Sequence, residues 1–158
     1  LMRLVLLVGY IWGIGFMPDV KRLFGYHGAE HKTINAYEAG AELTPEVVAK
    51  YPIEHPRCGT AFMLTFVLLS ILIHSLLGDM TFVWRLASRI LLIPVIAGIA
   101  VEFIRWTANH LDSALVRLLI KPNLALQSLT TRQPDNSMLE VAIESFKTMR
   151  QAEQEVVV

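Results

Sequence analysis

Residues 59–78 of the chain read GTAFMLTFVLLSILIHSLLG. This stretch carries no formal charge, and its polar side chains are scattered threonine, serine and histidine residues. An α-helix needs about 20 predominantly apolar residues to cross the hydrocarbon core of a bilayer. Length and composition together therefore predict a transmembrane helix over 59–78.

Two further apolar segments extend this pattern on either side. Residues 84–106 are bounded by Trp84 and Trp106, and tryptophan is typical of the membrane–water interface. Residues 1–17 are apolar but short, so we expect a partial first span that belongs to a longer parent protein. Hydrophobic residues make up 54% of the 158 positions. We predict an all-α integral membrane protein with two to three transmembrane helices.

The remaining segments, 18–58 and 111–150, are predicted to form cytoplasmic or interfacial amphipathic helices within a single membrane domain over 1–158. A helix through the histidine-rich part should end near Glu38, because Gly40 suits a helix C-cap. Pro122 should end an amphipathic helix that begins at Leu111.

The last helix is predicted from a capping box. Ser137 and Glu140 have the required spacing, and the residues that follow them repeat apolar side chains at helical intervals. This apolar stripe contains Leu139, Ala142, Ile143, Phe146 and Met149.

The charge distribution excludes nucleic acid as a partner and predicts an orientation. The formal net charge is zero, and no basic tract occurs. Basic residues favour the cytoplasmic side of a membrane. They concentrate in two segments assigned to that side: Lys21, Arg22, Lys32, Lys50 and Arg57, then Arg105, Arg117, Lys121 and Arg132. The opposite side holds Arg3, Arg85 and Arg89. We therefore expect a multi-pass protein whose histidine-rich loop faces the cytoplasm.

The histidine-rich segment contains the spacing H-x-x-E-H, formed by His27, Glu30 and His31. On a helix, residues three, four and seven apart share a face, so His27, His31 and Glu38 should form one stripe. Two neutral imidazoles and a carboxylate suit zinc or another divalent metal. Glu30 lies beside the stripe and is the candidate general base that activates a water molecule.

A second group of candidate ligands follows the histidine-rich helix. His55 and Cys58 are three residues apart on either side of Pro56 and Arg57, a spacing that can bring an imidazole and a thiolate to one ion. Four ligands would make a closed structural site, whereas three would leave one coordination position open. The alternative for Cys58 is a small buried residue at a helix start.

Three motifs, met in order along the chain, carry a family resemblance. They are GYHGAEHKTINAYE at 25–38, HPRCGTAF at 55–62 and LTTRQPD at 129–135. They resemble the bacterial YqhQ family of membrane proteins, whose members are typically longer at the N-terminus. The resemblance implies that this chain corresponds to the C-terminal half of a metal-dependent enzyme in the bacterial cytoplasmic membrane.

Glu102 is a further candidate because it lies inside the predicted span 84–106. A carboxylate within a span costs roughly 2.5–3.5 kcal/mol on insertion scales and usually faces a bundle interior or a cavity. Glu102 is therefore interpreted as a further ligand, a proton relay, or the ionic partner of Arg57 or Arg105.

Two functional hypotheses follow. The first is a membrane-embedded, divalent-metal hydrolase, with zinc the expected metal, which acts on a membrane-associated substrate at the cytoplasmic face. The second is a non-enzymatic oligomeric module, such as a channel, transporter subunit or scaffold, in which the histidines form a structural metal site or a hydrogen-bonded cluster. The expected partners are the lipid bilayer and either a second copy of the chain or the missing N-terminal half.

Overall fold

The structure, a computed structural model, describes residues 2–156 of the chain, and its regular elements there are all helices. They are α1 Met2–Ile14, α2 Pro18–Glu38, α3 Pro45–Val48, α4 Gly59–Leu76, α5 Phe82–Ala108, α6 Ala114–Thr130 and α7 Asn136–Val156. The prediction of an all-α protein is confirmed. The side chain of Arg3, which counts in the predicted orientation, lies outside the described part.

Two of these helices, α4 and α5, are long and apolar enough to cross a membrane. They correspond to the predicted spans 59–78 and 84–106. Only 17% of the apolar window of each helix is buried inside the protein, so most of its apolar surface requires lipid rather than water around it. A third candidate exists if the bent pair Leu4–Ile14 and Pro18–Glu38, which meet at 101°, counts as one span. The chain is therefore a helical membrane protein.

Backbone contacts divide the chain into two compact units. Unit 1 contains the residues up to Gly9 together with Pro56–Gln127, and so includes α4 and α5. Unit 2 contains Tyr10–His55 and the residues from Ser128 onward, and so includes α2, α3 and α7.

The core of unit 2 forms where α2, α3 and α7 pack together. Ala29 and Ala36 of α2 are fully buried, and their small side chains let α7 approach closely enough to bury Leu139 and Ile143. Val48 of α3 completes this cluster. Burial of Leu139 and Ile143 agrees with the apolar stripe predicted for the last helix.

The end of α2 is set by glycine, as predicted. The helix ends at Glu38, and Gly40 adopts a φ of 69°, a left-handed conformation that glycine takes without strain. The Gly40 N–H donates to the Tyr37 carbonyl at 2.9 Å, and the Ala41 N–H donates to the Ala36 carbonyl at 3.0 Å. This pair of bonds is the Schellman motif, which satisfies carbonyls left unbonded at the helix end.

The prediction that Pro122 ends a helix is wrong. Helix α6 runs from Ala114 to Thr130 with Pro122 inside it. Buried side chains lie on both sides of the proline, at Ile120 and Leu126. The continuous buried face offsets the missing backbone N–H. The Asn123 amide also donates to the Thr65 hydroxyl of α4 at 3.2 Å.

The predicted N-cap of the last helix is also wrong, by two residues. Asp135, not Ser137, caps α7: its carboxylate accepts a hydrogen bond from the Met138 N–H at 2.9 Å and from the Ser137 hydroxyl at 2.7 Å. An aspartate outcompetes a serine here because its ionised carboxylate accepts both donors at once and favours the helix N-terminus. These bonds, chiefly that from Ser137, lower the pKa of the Asp135 carboxyl group.

Candidate metal centre

Helix α2 presents two histidines whose rings are held by distant backbone carbonyls. The Nδ1 of His27 lies 2.9 Å from the Thr130 carbonyl oxygen, and the Nδ1 of His31 lies 2.7 Å from the Ile53 carbonyl oxygen. The two ring centroids are 4.3 Å apart. The H-x-x-E-H spacing therefore places both imidazoles side by side, as expected from one turn of helix.

These hydrogen bonds fix the tautomer of both rings. A carbonyl oxygen only accepts, so in the neutral imidazole Nδ1 carries the proton and Nε2 carries the lone pair. A histidine that donates from one nitrogen to a carbonyl while the other nitrogen is a base is the arrangement found at metal sites. The candidate ligand atoms of His27 and His31 lie within 4.8 Å of one another, so a small movement of the side chains brings both to one ion at about 2.0–2.1 Å.

His55 and Glu38 extend the cluster along the same face of α2. The ring centroids of His31 and His55 are 5.8 Å apart, and the Nε2 of His55 lies 3.6 Å from the Oε2 of Glu38. His31 and His55 are almost completely buried, whereas the Glu38 side chain is 42% exposed. The predicted residues His27, His31, His55 and Glu38 are thus brought together within unit 2.

The segment before His55 is fastened to α2 by a buried lysine that sequence reasoning missed as a functional residue. The Lys32 ammonium donates to the Ala49 carbonyl at 2.9 Å and to the Tyr51 carbonyl at 2.6 Å. Only 5% of Lys32 is exposed. Burial lowers its pKa, although the charge of Glu54 acts in the opposite direction.

Asn35 fastens the same segment one turn further along α2. Its side-chain amide donates to the Pro52 carbonyl at 2.9 Å and to the Glu54 carbonyl at 3.0 Å. With the bond from His31 to Ile53, three side chains of α2 bind consecutive parts of residues 49–54, which we name the carbonyl strap. The strap leads directly into His55, so its attachment decides where that imidazole lies.

Gly28, inside the H-x-x-E-H motif, allows a second segment to reach α2. A Cβ atom on Gly28 would lie 2.3 Å from the Arg132 carbonyl oxygen and 2.8 Å from Cδ1 of Ile53. The Arg132 N–H donates to the Phe24 carbonyl at 2.9 Å. The LTTRQPD motif therefore packs on the first motif, and this contact brings the Thr130 carbonyl to His27. The glycine in the motif was the sequence signal for this close approach.

Glu30 is not among the side chains of α2 that donate to the carbonyl strap in the described hydrogen bonds. Its side chain is exposed and lines a groove between α2 and α7. It remains one residue from His31 in the chain, and its role as a general base stays a prediction.

The other predicted residues lie in unit 1. Cys58 is buried at the N-cap position of α4, with its Sγ 3.1 Å from the Thr60 hydroxyl oxygen. Arg57 is exposed. Glu102 accepts a hydrogen bond from Arg105 at 3.2 Å on the exposed surface of α5. Arg105 is one of the two ionic partners predicted for Glu102.

The sequence as a whole matches a family model described as "Protein of unknown function (DUF1385)" over residues 1–152. The chain belongs to this family. It is also 40% identical over 153 residues to "Uncharacterized protein YqhQ" of Bacillus subtilis (strain 168), an alignment that covers 97% of this chain and 48% of that protein. The resemblance read from the three motifs is thus confirmed. The chain spans about half the length of this curated relative, and no solved structure matches it.

Proposed function

We propose that unit 2 of this DUF1385 family member binds a divalent metal ion through His27 and His31. The observation that carries the proposal is the pair of Nδ1–carbonyl hydrogen bonds, at 2.9 and 2.7 Å, which orient two adjacent rings with Nδ1 as the donor and Nε2 as the nitrogen that carries the lone pair. Imidazole nitrogen suits zinc among the common divalent ions.

His55 and Glu38 are the further ligands that the geometry favours. Their side-chain atoms are 3.6 Å apart, and the His55 ring neighbours that of His31. Cys58 remains a ligand proposed from the sequence, because it follows His55 by three residues. A thiolate ligand in place of a carboxylate would make a site more selective for zinc.

The reaction that we propose is metal-dependent hydrolysis of a membrane-associated substrate at the cytoplasmic face. A bound zinc ion would supply Lewis acidity. Glu30 accepts a proton from the attacking water, whose oxygen bonds to an ester or amide carbonyl carbon. The leaving alcohol or amine takes up a proton as the acyl–oxygen or acyl–nitrogen bond breaks, so that an acid and an alcohol or amine result.

The metal proposal is tested by elemental analysis of protein purified from zinc-supplemented cells. We expect about one equivalent of zinc in the wild type and close to none in the double variant His27→Ala plus His31→Ala, because removing two of three or four ligands abolishes a site. His110→Ala is the matched control, since that exposed histidine follows α5 and its ring, in the described hydrogen bonds, contacts only the Trp106 carbonyl of that helix. Equal zinc in all three proteins would refute the proposal.

The catalytic proposal is tested separately with Glu30→Gln. We expect this variant to keep its zinc and to lose about 10²–10⁴-fold in hydrolysis rate on a panel of nitrophenyl esters, the range for removing a general base. Loss of zinc from Glu30→Gln would instead make Glu30 a ligand.

A second function, the non-enzymatic membrane module, is favoured by a different aspect of the same hydrogen bonds. His27 and His31 fasten α2 to segments 103 and 22 residues away. Such bonds would stabilise unit 2 without any ion. The hydrogen-bonded form of the module predicts that the double histidine variant melts at a lower temperature than the wild type, with no difference in zinc content or hydrolysis. The form with a structural metal predicts that the variant loses zinc and that neither protein hydrolyses the esters.

A further inference from the structure

The groove between α2 and α7 contains Glu30, the proposed general base, but none of the proposed metal ligands of unit 2. It encloses about 470 Å³. Its lining residues are Tyr26, Glu30, Thr33, Ile34, Val141, Ala142, Ser145, Phe146 and Met149. Small-molecule sites typically enclose roughly 300–1,000 Å³. The volume therefore suits a ligand with one apolar chain better than one with two.

The α7 wall of the groove is apolar and partly exposed. Val141 and Met149 keep 54% and 44% of their surface exposed on an otherwise polar outer face of α7. The Phe146 ring packs against Tyr37 with centroids 4.8 Å apart, and the Arg150 guanidinium lies over that tyrosine. The wall is thus held in place while its apolar side chains remain accessible, which is typical of a ligand site.

The α2 wall carries the charge. Glu30 is the single formally charged residue among those that line the groove. An anionic head group beside this carboxylate would be repelled, whereas a neutral head group that carries a hydroxyl can donate a hydrogen bond to it. The groove therefore has a charged edge at Glu30 and an apolar wall along α7.

We propose that this groove binds a neutral amphiphile with a single apolar chain, of the monoacyl ester class, with its chain along α7 and its head group at Glu30. The assignment deepens the proposed function and rests on it, because in the proposed hydrolysis Glu30 accepts the proton of the attacking water. Such amphiphiles partition into membranes, and the chain has helices that are long and apolar enough to cross one.

The test uses the full chain in phosphatidylcholine nanodiscs and a monoacylglycerol that carries a diazirine on its acyl chain. After irradiation, we expect mass spectrometry to locate adducts on residues 141–149 and 26–34. Ser145→Trp fills the groove from its rim without entering the buried core and should reduce this labelling about ten-fold, equivalent to ~1.4 kcal/mol of binding. Thr148→Trp changes a neighbouring residue that does not line the groove, so the probe should label this variant to the same extent as the wild type.

Charge selectivity is tested with a diazirine fatty acid of the same chain length. We expect the anionic probe to label the groove more weakly than the neutral one, and Glu30→Gln to remove the difference. Adducts confined to other parts of the chain, or equal labelling of Ser145→Trp and wild type, would overturn the assignment. So would a phospholipid probe that labels the groove in preference to the monoacyl one.

The outcome is distinguishable from that of the metal proposal. Labelling of the groove in a protein that binds no zinc would refute the proposed metal-dependent hydrolysis and support the amphiphile-binding site. Zinc binding without labelling of the groove would refute the amphiphile-binding site and support the metal centre.

Discussion

A histidine that donates through Nδ1 to a backbone carbonyl is held in one tautomer and one ring orientation. In this protein two such rings are neighbours on α2, and their acceptors belong to residues 130 and 53. The motif spacing predicts that His27 and His31 are adjacent, because helical geometry alone ensures it. It does not predict the acceptors, since these come from segments with no periodic pattern of their own.

The close approach at Gly28 leads to a prediction at this scale. Gly28→Ala should destabilise the protein by about 1–3 kcal/mol, the usual cost of overpacking, because the new Cβ would meet the Arg132 carbonyl at 2.3 Å. The same displacement should weaken zinc binding through His27. Thermal unfolding and zinc titration check both effects.

The control for this substitution is Gly13→Ala in α1, where an added Cβ would meet no atom within 4 Å. Alanine should be neutral or stabilising there, because glycine costs a helix about 0.5–1 kcal/mol relative to alanine. A similar stability for Gly28→Ala and wild type would contradict the close contact.

At the scale of elements, the carbonyl strap is an irregular segment ordered by side chains of a helix rather than by its own backbone bonding. Its carbonyls accept from Lys32, Asn35 and His31. A sequence gives no direct sign of such a segment, because carbonyl acceptors exist at every residue. The donors were visible in the sequence, as the last histidine of the motif and two polar residues, Lys32 and Asn35, that follow it within one helical turn.

Asn35→Ala should loosen the strap. The Pro52 and Glu54 carbonyls would lose a donor, at a net cost of about 0.5–1.5 kcal/mol for each hydrogen bond. Since His55 follows the strap directly, we also expect weaker zinc binding with unchanged stoichiometry, measured by competition with a chromogenic chelator. Gln151→Ala, which removes an exposed amide from α7, should change stability by no more than about 0.5 kcal/mol. Unaltered zinc affinity in Asn35→Ala would show that the strap does not position a ligand.

The N-terminus of α7 yields a prediction about pH. Hydrogen bonds from Ser137 and Met138 lower the pKa of the Asp135 carboxyl group in the folded protein below its ordinary value of 3.8. Between the two pKa values the unfolded chain binds more protons, so this stabilising contribution is complete above about pH 5 and is lost progressively as the pH falls further.

Asp135→Asn keeps a capping oxygen but removes the titrating group. The melting temperatures of wild type and variant should therefore differ by a constant amount from about pH 7 to about pH 5 and converge below that. Curves that stay parallel down to about pH 2 would show that Asp135 makes no such contribution.

For the whole molecule, the spans were the easiest part to predict, since a bilayer selects on length and composition. Both 59–78 and 84–106 agree with α4 and α5 within a few residues. The packing within unit 2 was harder, because the burial of Leu139 and Ile143 depends on small residues of α2 that lie about a hundred positions earlier. The continuation of α6 through Pro122 likewise reflects burial on both of its sides rather than local propensity.

The distribution of basic residues makes a topological prediction testable in spheroplasts. In a Cys58→Ser background, Asp79→Cys in the loop between α4 and α5 should react with a membrane-impermeant maleimide added outside. Glu42→Cys, in the segment after α2, should react only after permeabilisation. Both positions are exposed, so the reverse labelling pattern would invert the orientation and move the candidate metal centre to the outer face.

The bond from His27 to Thr130 also has a consequence for biosynthesis. A ribosome makes the chain from its N-terminus, so α2 emerges long before its acceptor, 103 residues further on, has been translated. Both α4 and α5 must leave the ribosome in the meantime. The first histidine can therefore be locked into its final orientation only after the spans have reached the translocon, which ties maturation of the cluster to completed insertion into the bilayer.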